Sequence, residues 1–225
     1  NSKIRTSIKK IKKNRKNFDL TEFEQIKKRL KFKLTKDQIN SINDINNDLK
    51  SDQKMFRLLQ GDVGSGKTII ALIAALNVIN SGFQVAVMAP TEILSRQHFF
   101  LAKNLFDSSI NIDFISSKSE YKEKKRILAD LKSHKINLIF GTHSIFQKKV
   151  EFKNLGLIVI DEQHKFGVNQ RKKLSDKGGI NCDILLMSAT PIPRTLTMTI
   201  YGDMDLSIIR EKPKSRKEVI TYSKL

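Results

Sequence analysis

An α/β fold, with a mainly parallel sheet covered by helices on both faces, is what this sequence predicts, and three observations predict it. An apolar run at residues 55–59 leads into Gly61-Asp62-Val63-Gly64-Ser65-Gly66-Lys67-Thr68, which leads into the helix-forming stretch 69–76. Short continuous apolar runs recur at residues 84–89, 137–140, 157–160 and 183–187, the pattern of strands buried on both faces. Helical stretches separate several of them, at residues 93–105 and 120–132. Strand alternating with helix is the signature of a parallel sheet, whose ligands sit at the carboxyl ends of the strands.

Length and composition bound the rest. The 225 residues can bury one full core, or one domain with an appendage, and 39% hydrophobic with 29% charged content suits a globular chain. The longest apolar stretch, near residues 69–76, is too short to span a bilayer. No secretory signal is recognisable at the start, and the single cysteine, Cys182, excludes an internal disulfide and a cysteine-based zinc site. A reducing compartment is therefore expected. The net charge of +19 points to a polyanionic partner such as nucleic acid, although a Lys, Asn and Ile bias runs through the whole chain.

Residues 1–33 hold thirteen Lys/Arg against three acids, with Ile and Phe at roughly helical spacing. They are read as a basic helical segment that either lies along phosphates or links to a preceding domain. Thr35 is placed to cap the next helix, with Gln38 in its first turn. A glutamine amide can pair with the N6/N7 edge of adenine, so Gln38 is the candidate base reader.

The stretch Gly61 to Thr68 has the spacing G-x-x-x-x-G-K-[ST], in which glycines let backbone N–H groups converge on phosphate oxygens at a helix start. Lys67 would bridge β- and γ-phosphates, and the Thr68 hydroxyl would coordinate Mg²⁺. After the strand at 84–89, Thr91 stands near a helix N-terminus, and Arg96, Gln97 and His98 follow on that helix. Gly141-Thr142-His143 repeats the arrangement of strand end plus hydroxyl. Thr91 and Thr142 are candidates to hold a nucleic-acid backbone phosphate. The strand at 157–160 delivers Asp161-Glu162-Gln163-His164 at its tip. Asp161 is expected to hold the metal, Glu162 to polarise water as general base, and His164 to couple the sites. The strand at 183–187 ends in Ser188-Ala189-Thr190, whose hydroxyls could bond toward those acids. Further strands are expected at 206–209 and 219–222.

The order of these motifs resembles the first RecA-like domain of superfamily 2 helicases over roughly residues 32–222. Phe32 to Gln38, Gly61 to Thr68, Ala89 to His98, Gly141 to His143, Asp161 to His164 and Ser188 to Thr190 stand where that superfamily has its successive motifs. The runs Met88-Ala89-Pro90-Thr91-Glu92-Ile93-Leu94, Thr190-Pro191-Ile192-Pro193-Arg194 and Tyr201-Gly202-Asp203-Met204-Asp205 are similar to the RecG family of branch-migration helicases. Transcription-repair coupling translocases are the near alternative. The resemblance implies ATP and Mg²⁺ as cofactors and forked or branched DNA as partner, with work in recombination and repair. It extends the candidate DNA-binding set from Thr91 and Thr142 to Arg96, Gln97 and His143. It also implies a second RecA-like domain that supplies an arginine finger, and a wedge domain, both outside this chain. Residues 1–33 are then expected to be the link from the wedge, 34–215 the ATP-binding domain, and 216–225 the start of the linker onward. A bacterial cytoplasm or an organelle is the expected location. A nucleotide-dependent nucleic-acid-binding switch without motor action is the rival of a different class.

Overall fold

The computed structural model describes residues 12–19, 21–30, 32–147, 149–161, 178–190 and 204–211. Helices α1 (Thr21–Arg29) and α2 (Lys36–Lys50) precede strand β1 (Phe56–Gly61) and helix α3 (Lys67–Asn80). Then come β2 (Gln84–Met88), α4 (Glu92–Leu105), β3 (Ile112–Ile115), α5 (Tyr121–Lys132) and β4 (Leu138–Gly141). A 3-10 turn (His143–Phe146) leads on to β5 (Leu155–Ile160), β6 (Asp183–Ser188) and β7 (Asp205–Ile209).

The strands form one sheet in the order β3-β4-β2-β5-β6-β1-β7, and each neighbouring pair is parallel. Burial on both faces explains the unbroken apolar runs. Leu59, Val85, Val87, Leu157, Val159, Leu185 and Met187 point to one side, where α2, α3 and α4 supply Ile45, Leu72 and Ala102. Leu58, Ala86, Met88, Ile158, Ile160, Ile184 and Leu186 point to the other, where α5 supplies Ile127 and Leu131. Each buried Leu or Ile side chain contributes about 2 kcal/mol. Strand β7 agrees with the expected strand at 206–209, whereas the one at 219–222 lies outside the described residues.

The expected helix over residues 1–33 is found only in part. Residues 12–19 form no helix, with Lys12 bridged to Gln53 and the Lys16 N–H donating to the Leu49 carbonyl at 3.1 Å. Helix is confined to Thr21–Arg29 among the described residues of this segment. The physical reason lies far along the chain, at Asp183, the first residue of β6. Its carboxylate accepts from the Lys13 ammonium at 2.7 Å and the Lys16 ammonium at 2.5 Å, with all three side chains fully buried. The Met55 N–H adds a third donor at 2.7 Å. The second positive charge is offset by carbonyls, since Lys13 also donates to Asp48 at 3.0 Å near the end of α2, and Lys16 to Asn181 at 3.0 Å. A helix C-terminus favours cations in this way. Burial holds the Lys13 ammonium below the usual lysine range, with Asp183 opposing that shift. These two lysines are therefore core residues and contact no phosphate.

Candidate nucleotide site at the carboxyl edge of the sheet

The sheet order decides what can meet. Strands β5, β6 and β1 are neighbours, so Asp161 after β5, Ser188 at the end of β6 and Gly61 at the end of β1 open onto the same edge. Two inter-strand spacings separate β5 from β1, about 10 Å in all, a distance that a triphosphate with its metal can bridge. Parallel pairing also sets the faces. Gln60 lies beside Ser188, and Ile160 beside Leu186.

The loop after β1 has the geometry its glycines require. Gly64 and Gly66 have φ of 79° and 88°, the left-handed region that favours glycine. Gly66 is also the N-cap of α3, with no side chain bonded to the helix start and no acid in the first turn, which leaves that turn suited to an anion. The Lys67 ammonium donates to the carbonyls of Gly61 at 2.5 Å and Asp62 at 2.9 Å, so it lies folded along the loop. Asp62, Val63 and Gly64 are exposed, whereas Ser65 is buried and its hydroxyl has no hydrogen-bond partner among the described residues. An orphaned buried hydroxyl in this loop marks a position where a polar ligand would complete the bonding. Thr68, half-buried on the first turn of α3, and Asp161 bring oxygen donors of the kind a hard divalent cation takes. Among the described residues no group of three or more His, Cys, Asp or Glu could hold a metal by itself. A cation here would thus take phosphate and water for its remaining ligands, as Mg²⁺ does at phosphate sites.

Gln38 is tied to this loop. Thr35 and Gln38 form a capping box, with the Thr35 hydroxyl accepting from the Gln38 N–H and the Gln38 Oε1 accepting from the Thr35 N–H at 2.8 Å. Its Nε2 donates to the Ser65 carbonyl at 2.8 Å. Both ends of the amide are engaged and the residue is 1% exposed, so reading an adenine edge requires it to let go. Ser188 and Thr190 turn to each other, with their hydroxyls 3.0 Å apart and the Thr190 N–H donating to Ser188 Oγ at 3.2 Å. Glu162 and His164 lie outside the described residues, as do residues 191–203.

The other candidates occupy the far half of the same edge. Thr91 caps α4, its hydroxyl accepting from the Leu94 N–H at 3.3 Å. Arg96 pairs with Glu92 at 2.9 Å and lies 4.3 Å from the centroid of the Phe114 ring. Gln97 is exposed on that helix, and Thr142 and His143 follow β4. Sequence reasoning named His98 as a follower on α4 and gave it no role. The structure places its Nε2 at 2.8 Å from Asp161 Oδ2, with both residues 8% exposed. Only the unusual choice of histidine on an inward helix face could have signalled it.

Among the described residues, a glycine-rich loop at the carboxyl edge of a seven-stranded parallel sheet is an arrangement suited to a nucleotide, and comparison with known proteins gives the class of the domain. Residues 35–199 match the DEAD/DEAH box helicase family, to which this chain belongs. Membership implies a nucleotide site. The chain is 50% identical over 216 residues to the ATP-dependent DNA helicase RecG of Aquifex aeolicus, covering 95% of this chain and 27% of that protein. It is 46% identical to the RecG of Streptococcus pneumoniae over 91% of this chain and 30% of that protein. A solved structure of RecG bound to a three-way DNA junction superposes with a TM-score of 0.85 at 41% identity, over 97% of this chain and 29% of that one. The chain thus spans under a third of the length of these relatives. Among the described residues no helix is long and apolar enough to cross a membrane.

Proposed function

We propose that this chain is the ATP-binding domain of a RecG-type ATP-dependent DNA helicase, acting on forked or branched DNA in recombination and repair. The observation that carries the reading is the adjacency of β5, β6 and β1, which brings Asp161, Ser188 and the Gly61 to Thr68 loop to one edge. The loop's backbone N–H groups and Lys67 bind the phosphates, with Lys67 exchanging the carbonyls of Gly61 and Asp62 for phosphate oxygens. Thr68 and Asp161 would hold Mg²⁺, which supplies charge neutralisation at the β- and γ-phosphates when bound. Glu162 takes a proton from the attacking water. Ser188, Thr190 and His164 carry the state of the nucleotide toward the DNA side, where Thr91, Arg96, Gln97, Thr142 and His143 face backbone phosphates. An arginine from a second RecA-like domain would complete the γ-phosphate environment, and a wedge domain would split the fork. The working compartment is one that holds DNA, a bacterial cytoplasm or an organelle.

The test is ATP hydrolysis by the whole enzyme with and without branched DNA. DNA should stimulate hydrolysis, and Glu162→Gln should remove about 10²- to 10⁴-fold of it, the usual worth of a general base. A wild-type rate that DNA leaves unchanged would instead indicate a nucleotide switch without motor action.

A further inference from the structure

Helix α4 buries Ser95, His98, Ala102 and Leu105 on its inward face. Phe99 holds it to the sheet, with ring centroids 5.9 Å from Phe114 on β3 and 6.1 Å from Phe140 on β4. A helix face of this kind is ordinarily apolar, because an uncompensated buried polar group is costly. Here Ser95 Oγ has no hydrogen-bond partner among the described residues, and His98 reaches across to the tip of β5. A carboxylate can only accept, so His98 Nε2–H donates to Asp161 Oδ2. The backbone of Asp161 is fixed separately, its N–H donating to the Met88 carbonyl at 2.8 Å. The main chain therefore sets where Asp161 begins, and His98 holds one oxygen, Oδ2, of its carboxylate.

Resting on the function proposed above, we infer that His98 is a positioning residue for the metal-holding carboxylate of Asp161. Through it, the helix that starts at Thr91 on the DNA side is bonded directly to the nucleotide side. Groups one step removed from a metal typically change its affinity about 10- to 100-fold when lost. The geometry requires a donor at the Nε2 position and nothing else of the imidazole. Glutamine, whose Nε2 reaches similarly far, should substitute, whereas alanine should not.

The experiment compares wild-type whole enzyme with His98→Ala and His98→Gln by titrating a fluorescent ATP analogue in Mg²⁺ and again in EDTA. Thermal melting in EDTA without nucleotide is followed in parallel. His98→Ala should weaken binding about ten-fold in Mg²⁺ and leave affinity in EDTA unchanged, and His98→Gln should recover most of the loss. Wild-type affinity of His98→Ala in Mg²⁺ would overturn the inference, as would an equal loss in Mg²⁺ and EDTA. If His98→Ala melts below the assay temperature, His98→Gln decides alone, and loss of Mg²⁺-dependent affinity in that variant counts against the inference. Absence of Mg²⁺-dependent binding in the wild type would instead refute the proposed function itself.

Discussion

Gln38 and Gly66 show how closely the 61–68 loop is specified residue by residue. A Cβ added at Gly66 would collide with the Gln38 Nε2 and would sit on a backbone with φ of 88°. Gly66→Ala should therefore cost stability of about 1–3 kcal/mol from the left-handed backbone alone, read by denaturant melts, and should also lower nucleotide affinity. His134 offers the opposite case. It has φ of 65° in the turn after α5, where glycine is the usual occupant. His134→Gly is expected to stabilise the domain by about 1 kcal/mol, measured as a higher melting midpoint. The left-handed His134 and the Gly66–Gln38 approach were not legible in the sequence, whereas the motif and the cap were. The loop spacing and the Thr35/Gln38 cap each need only a few neighbouring residues. The Gln38–Ser65 and His98–Asp161 bonds join residues 27 and 63 positions apart, and no periodicity announces them.

Elements were readable where one pattern dictates them, and misread where a distant partner does. The buried strands appear as apolar runs because the sheet is covered on both faces. The stretch at residues 12–19 reads as part of a helix because Ile4, Ile8, Ile11 and Phe18 around it lie at roughly helical spacing, yet Lys13 and Lys16 bond to Asp183, at separations of 170 and 167 residues. Asp183→Ala leaves two buried ammonium groups without their carboxylate, at a cost of about 3–5 kcal/mol. Faster proteolysis near residues 12–19 and a lowered melting midpoint should both be seen. At the other end, α2 is clamped to the close of β7. The Asp37 carboxylate accepts from the N–H groups of Arg210 at 2.8 Å and Glu211 at 3.1 Å. These two bonds, the Arg210 one first, hold the Asp37 carboxyl below the usual aspartate range. A carboxylate so depressed adds stability above its unfolded pKa, about 4, and loses it as pH falls through the folded value. Asp37→Asn should accordingly flatten the acid limb of the stability profile, measured by urea midpoints against pH.

At the scale of the whole molecule, sheet order does what no stretch of sequence does. Asp161 and the loop near Lys67 are far apart along the chain, and they share an edge because β6 lies between β5 and β1. Order of that kind is set by crossovers and packing, so the sequence could name the groups without showing that they are neighbours. The net charge of +19 belongs to this scale too, and it is smaller in effect than it looks, since Lys13 and Lys16 are buried. If the whole protein acts on DNA as proposed, the cationic surface that remains should make its DNA affinity fall steeply with salt, as counterion release requires. A crystal structure with a non-hydrolysable ATP analogue and Mn²⁺ in place of Mg²⁺ tests the shared edge most directly. The account predicts phosphates on the 61–68 loop and an anomalous manganese peak about 2 Å from the Thr68 hydroxyl, bonded to Asp161 directly or through one water. Phosphates seated away from that loop, or a metal with Asp161 beyond the reach of a single water, would contradict it.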